Sequence, residues 1–359
     1  MAYKNPEMEM SKILTQVLEL DASDLHLVAG KPPVVRIDNK LSNLSGSELL
    51  DAESLERLIA VVLNDKLKSR LQEKRHVDFS YSFRNDSRFR VNVYYQKGTL
   101  AAAFRFVHSK IRTLEELNLP KVLADFTKFR QGLVLFAGPT GHGKSTTLAA
   151  LIDIVNHSRA EHIITIEDPI EYVFTQDKCL ISQREVGDDT EGFGPAIRAT
   201  LREDVNVVMV GEMRDLESIA TTITVAETGH LVFATVHTND APQTIDRIID
   251  VFPSHQQNQI RAQLANILVG VVSQRLLPRI GGGRLAAVEI LLSSTAVRNV
   301  IREGRTYELP NIIHTSLKEG MVSLEKSLAE LVRKGLVKLE DALGYANNAE
   351  LLKSLVKRF

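Results

Sequence analysis

The chain contains no tryptophan and a single cysteine, Cys179. The first absence bears on nothing functional; the second excludes an internal disulfide and fits a reducing compartment. No run of 18 or more apolar residues occurs, so no membrane-spanning helix is predicted. The polar opening from Met1 to Met10 lacks the apolar core of a signal peptide. A cytoplasmic protein follows, reaching a membrane only through a partner. An excess of either charge is missing too. Lys and Arg number 44 against 45 Asp and Glu, a formal net charge of −1, which argues against a protein built to grip nucleic acid. There is no internal repeat and no low-complexity segment. What is present is an ordinary soluble composition over 359 residues, 44% hydrophobic and 25% charged, a length suited to about two domains.

The grammar changes once along the chain. Residues 1–112 read as an α+β unit. A short helix around Met10–Leu20 precedes a strand at Leu25–Ala29, the Lys31-Pro32-Pro33 break, and extended Val34–Ile37. Helix Ala52–Leu63 carries Leu55, Leu58, Ile59 and Val62 at helical spacing. Period-2 runs at Val77–Phe83, Phe89–Tyr95 and Leu100–Val107 predict a small meander sheet. Ser109–Pro120 lacks alternation and is the linker candidate. Residues 113–359 then alternate helical patterns with continuous apolar runs: Leu133–Ala137, Ile163–Ile166, Val207–Val210 and Leu231–Val236. Such runs predict doubly buried strands of a mainly parallel sheet. From Ser323 the tail reads as helical, with apolar stripes at Leu324, Leu328, Leu331 and Val332 and at Leu351, Leu352 and Leu355 that suit packing on the core.

Gly138-Pro139-Thr140-Gly141-His142-Gly143-Lys144-Ser145 matches G-x-x-x-x-G-K-[ST] in full, and Thr146 opens the helical run to Val155. Glycines let backbone N–H groups curl round phosphate oxygens, and the helix N-terminus adds its positive dipole. Lys144 is expected to reach the β- and γ-phosphates of ATP and the Ser145 hydroxyl to sit on Mg²⁺. The strand Val207–Val210 delivers Glu212 just past its carboxyl end, the position of a Walker B acid for the metal shell. Glu167, ending another strand in Ile164–Tyr172, is the candidate to orient the attacking water; a solvated acidic turn is the alternative, more so for Asp168 and Glu171. His230 and His237 bracket a fourth strand. They make a poor zinc site and fit either core or edge histidines or sensors of the γ-phosphate.

Phosphate loop, Thr165–Tyr172, Val208–Asp215 and Thr228–His237, in this order, resemble the secretion ATPase superfamily that drives type II secretion and type IV pili. Asp24-Leu25-His26-Leu27 before Pro32-Pro33, Arg88–Asn92, Ile249–Pro253 and Ala296–Gly304 resemble its pilus-retraction (PilT-type, twitching-motility) branch. Assembly and secretion members usually carry a further N-terminal domain, often with a four-cysteine zinc loop that one cysteine cannot form. The resemblance implies an N-terminal PAS-like α+β domain and a RecA-like P-loop ATPase domain with a helical C-terminal tail. It further implies a homo-hexamer with nucleotide between the domains, peripheral at the inner face of the cytoplasmic membrane. The expected partner is an inner-membrane pilus platform protein and, through it, pilin. Glu167 would be the general base, Glu212 the metal-shell acid, and His230 and His237 the γ-phosphate-linked pair. Arg88, Arg90 and Arg105 would be candidate charge-stabilising fingers, or else a solvated basic strand face. His142 stands where the family usually has Ser, at a position expected to point outward. Leu201–Asn206 departs from the family's version, which has Pro and Asp nearer Walker B. Arg298, Arg302 and Arg305 fall near one helix face if that helix extends so far, as a solvated face or as a partner contact. Gly281-Gly282-Gly283 reads as a turn before the strand Leu285–Leu291. The nearest rival reading is a pilus assembly, accessory retraction or type II secretion ATPase of the same superfamily; a RecA-like nucleic-acid motor and a non-hydrolysing scaffold are rivals of other classes.

Overall fold

A computed structural model describes residues 5–37, 40–84, 87–107 and 111–357. The chain divides into two compact units, Met1–Lys110 with Glu171–Val173 and Ile111–Ile170 with Phe174–Phe359. Of the linker candidate, Ser109 and Lys110 lie outside the described residues; Ile111–Pro120 belongs to the second unit.

In the first unit, strands β1 (Asp24–Val28), β2 (Val34–Ile37), β3 (Lys40–Asn43), β4 (His76–Phe83), β5 (Ser87–Gln96) and β6 (Thr99–Val107) form one sheet. Their order is β3-β2-β1-β6-β5-β4, and every pairing is antiparallel. The expected meander is only half of this sheet: the β1–β3 and β4–β6 ribbons join through β1 and β6. Helices Pro6–Glu19, Ala52–Val62 and Asp65–Lys74 begin where Asn5, Asp51 and Asn64 accept the backbone N–H three residues on, each satisfying a donor with no intrahelical partner. Ile13, Leu14, Leu55, Leu58 and Ile59 share one core with Phe89, Val91 and Phe104.

In the second unit, β7 (Gly132–Ala137), β8 (His162–Glu167), β9 (Leu180–Glu185), β10 (Val207–Val210), β11 (Leu231–Val236), β12 (Leu268–Pro278) and β13 (Arg284–Leu292) are ordered β13-β12-β7-β11-β10-β8-β9. All pairs are parallel except β12–β13. β7, β10 and β11 are buried at every residue, the burial that continuous apolar runs require. The tail helices Leu324–Arg333 and Ala349–Lys357 bring Leu324, Leu328 and Leu352 onto Leu277, Leu285 and Ala287 of β12 and β13.

Candidate nucleotide site

The chain leaves β7 at Gly138 (φ 142°) and turns through Gly141 (φ 78°) and Gly143 (φ 82°) into the helix Lys144–Ser158. These φ values favour glycine. Gly143 is the helix N-cap and no side chain caps its first turn, so the loop presents its own N–H groups, as an anion cradle does. Lys144 is buried, its Nζ donating to the carbonyls of Gly138 at 2.7 Å and Pro139 at 3.0 Å. Ser145 and Thr146 are half-buried beside it; Thr140 and Gly141 are exposed.

Strand register brings the acids to the same edge. Val210 pairs with Ile166 and with Ala234, and Val236 with Ala137; the strands are parallel, so Glu167, Glu212, His237 and the phosphate loop all follow carboxyl ends. Glu167 is buried, accepting from Thr165 Oγ1 at 2.7 Å and Gln183 Nε2 at 3.4 Å. The turn after β10 is pinned to β11 by Met213 N–H donating to Thr235 O at 3.0 Å. There the Glu212 carboxylate meets Arg214 Nε at 2.6 Å and His237 Nε2 at 2.9 Å. Burial pushes the Glu212 carboxyl up, but hydrogen bonds and charge from Arg214 and His237 outweigh it and hold it below the usual range. His230 does not join this cluster. It precedes β11 where His237 follows it, and its Nδ1 faces Val225 O at 3.0 Å. At ~3.3 Å per strand residue the two histidines stand about 20 Å apart, so within one subunit they do not form a pair.

Residues 5–282 match the type II/IV secretion system protein family. The chain belongs to that family. It is 45% identical over 335 residues to the type IV pilus retraction ATPase PilT of Pseudomonas aeruginosa, covering 93% of this chain and 97% of that protein. It is 41% identical over 342 residues to the twitching motility protein of Neisseria gonorrhoeae, covering 95% and 91%. A crystal structure of the pilus retraction motor PilT with bound ADP superposes with a TM-score of 0.89 at 46% identity, covering 96% of this chain and 98% of that one.

Secretion-family arginines expected as fingers lie in the first unit. Arg105 Nε donates to Asp24 Oδ1 at 2.8 Å, and Arg36 Nε lies 3.6 Å from the other oxygen. Burial pushes Asp24 up, yet Ser23 and Arg105 hold its carboxyl low. Arg90 sits opposite Arg105 in the ladder and is exposed; like charges so placed repel, and Asp24 offsets only one of them. Arg88, half-buried, is opposite Val107.

His142 departs from expectation in orientation as well as identity. Its ring is half-buried against the second unit rather than outward: Leu276 N–H donates to Nδ1 at 3.1 Å, and the Tyr345 ring stands edge-on at 6.2 Å. Burial, then the charges of Arg275, Lys144 and Arg284, hold its pKa below the ordinary histidine value, in keeping with an unprotonated accepting nitrogen. The three-arginine helix face is also revised. The helix Thr295–Arg302 stops short of Arg305, which pairs with Glu303 at 2.6 Å and Glu308 at 2.8 Å. At Leu201–Asn206, Asp204 takes a left-handed turn (φ 50°) and Asn206 Oδ1 accepts His162 N–H at 2.9 Å.

Arg275 and Glu289 carry no sequence motif, yet they brace the segment after His237. Arg275 Nη2 donates to Asn239 O at 2.8 Å and Oδ1 at 3.0 Å. Buried Glu289 accepts Ala241 N–H at 2.9 Å, and burial pushes its carboxyl from 4.5 up to about 7. A raised folded pKa contributes stability fully below the unfolded value, and that contribution is lost as pH rises through about 7. At about 1.4 kcal/mol per pK unit the loss is at most about 3 kcal/mol. Glu289→Gln keeps an accepting oxygen without the charge. It is expected to raise the melting temperature by several degrees at pH 8 and hardly at pH 5, read by thermal denaturation at the two pH values.

Proposed function

We propose that the chain is an ATP-hydrolysing hexameric motor that powers type IV pilus retraction, nucleotide-driven domain movements turning hydrolysis into mechanical work. The observation that carries this is the end-to-end similarity to retraction ATPases, spanning nearly all of the chain and of those proteins, around a complete phosphate loop. The domains are taken as residues 1–112, PAS-like, and 113–359, RecA-like. Phosphoryl transfer needs positioning and charge neutralisation rather than covalent chemistry. Loop N–H groups and Lys144 hold the phosphates, Glu167 orients the attacking water, and Glu212 with His237 stands beside the γ-phosphate. Arg88, Arg90 and Arg105 remain the candidate fingers; Arg105 is already engaged by Asp24, whereas Arg90 is exposed.

The donor set of Ser145 hydroxyl and Glu212 carboxylate is all hard oxygen, which suits Mg²⁺. Ser145 and Glu212 would hold the ion, with Arg214 and His237 orienting the Glu212 carboxylate. When bound, Mg²⁺ would neutralise charge on the phosphates. Among the described residues no helix is long and apolar enough to cross a membrane; contact with the inner membrane runs through a platform protein, and with pilin through that.

Deleting the gene tests the direction of work. Pili are expected to accumulate on the surface while twitching stops, seen by electron microscopy and a motility assay. Loss of pili would mean an assembly motor instead.

A further inference from the structure

β12 carries no motif, yet its middle, Ser273-Gln274-Arg275, is polar and buried in a strand otherwise apolar up to Pro278. Gln274, 2% exposed, lies along the inner side of the phosphate loop. A Cβ on Gly138 would meet the Gln274 carbonyl oxygen at 2.5 Å, and one on Gly143 its Nε2 at 2.8 Å. The side-chain amide is satisfied at both ends. Nε2 donates to His142 O at 2.8 Å, and Oε1 accepts from Thr147 Oγ1 at 2.8 Å. The carbonyl of His142 can only accept, so the amide orientation is fixed by chemistry. The Thr147 hydroxyl has a second acceptor, Gly143 O, at 3.2 Å; its one proton favours the shorter contact. One amide thus ties the last turn of the loop to the first turn of the helix, bridging across the four residues Gly143, Lys144, Ser145 and Thr146.

We infer that Gln274 is a positioning residue for nucleotide binding, holding the phosphate loop in its anion-accepting shape through His142 and Thr147. It touches no phosphate and acts through the loop. A buried polar bridge of this kind is costly unless both ends are paired, which explains why a strand interior carries it: the loop supplies both partners. Pre-organising the cradle removes an ordering cost that ADP would otherwise meet. The shape serves bound substrate and transition state alike, so its loss raises KM more than it lowers kcat.

This rests on the nucleotide-site reading, and ADP affinity separates the two. Calorimetry of the full chain is expected to give about 10-fold weaker ADP binding for Gln274→Met, from two lost neutral hydrogen bonds. Thr147→Val should weaken it to a similar extent, and the double variant little more than either, since both cut one link. Thr147→Ser keeps the hydroxyl and should restore affinity. Unchanged ADP affinity in Gln274→Met and Thr147→Val, or effects that multiply in the double variant, would overturn the inference. Should Gln274→Met not fold, Thr147→Val against Thr147→Ser decides alone. A wild-type chain that binds ADP but turns over no ATP defeats the motor reading and leaves this test standing; one that binds no ADP defeats both.

Discussion

Lys144→Ala is expected to lower ATPase turnover by about 10³-fold or more and to weaken ATP binding to the limit of calorimetry. The Lys144 ammonium is buried inside its own loop, donating to the Gly138 and Pro139 carbonyls, where a phosphate oxygen would compete for the same protons. Hydrogen bonds from a charged donor contribute about 1.5–3 kcal/mol each, and two to phosphate oxygens convert to about 10²–10⁴-fold. Alanine also leaves the two carbonyls without their donor, so part of the loss arises from the loop. The fold should tolerate the change, because alanine is at least as good a helix former and the strands beneath the loop do not depend on this side chain. Far-ultraviolet circular dichroism and melting temperature near wild type, with turnover lost, is the expected pattern. A variant retaining more than a tenth of wild-type turnover would remove Lys144 from the site.

Most of the second unit could be read before any coordinates, because strands buried on both faces leave continuous apolar runs. β7, β8, β10 and β11 were legible within a residue of their ends, and with them the edge where Glu167, Glu212 and the loop emerge. β12 was not. Its Ser273-Gln274-Arg275 interruption is the signature of a loop unless one knows that His142, Thr147 and Asn239 lie ready to pair with it. β9, Leu180–Glu185, is an edge strand whose burial is mostly partial, so its pattern is weak. The inward turn of His142 depends on a backbone N–H from Leu276, far away in sequence. His230 and His237 were a pair only by the family resemblance; the extended strand between them carries them to opposite ends of β11. In the first unit the three-strand meander was visible, but its junction to β1 was not, since edge pairing leaves little trace in local periodicity.

Glu212→Gln is expected to leave ATP binding within a few-fold of wild type while lowering kcat by about 10²–10³-fold, the range for removing one electrostatic stabiliser of the transition state. The carboxylate is only partly exposed and is gripped by Arg214 and His237, which hold it ionised well below neutral pH. Glutamine preserves shape and one accepting oxygen but removes the charge, so Arg214 loses its counter-ion and His237 a carboxylate partner at the strand end. The phosphate loop, on β7 with β11 between it and β10, is not touched, which is why affinity should survive. Glu167→Gln provides the contrast. Its carboxylate accepts from Thr165 and Gln183, so that variant should lose turnover while leaving the Arg214 and His237 contacts of Glu212 in place. Raising Mg²⁺ should then separate the two acids. Partial recovery of kcat at high Mg²⁺ is expected for Glu212→Gln, through weakened metal retention, and none for Glu167→Gln, measured by steady-state phosphate release. Equal insensitivity of both variants to Mg²⁺ would assign Glu212 to charge organisation alone, and unchanged turnover would take it out of the site.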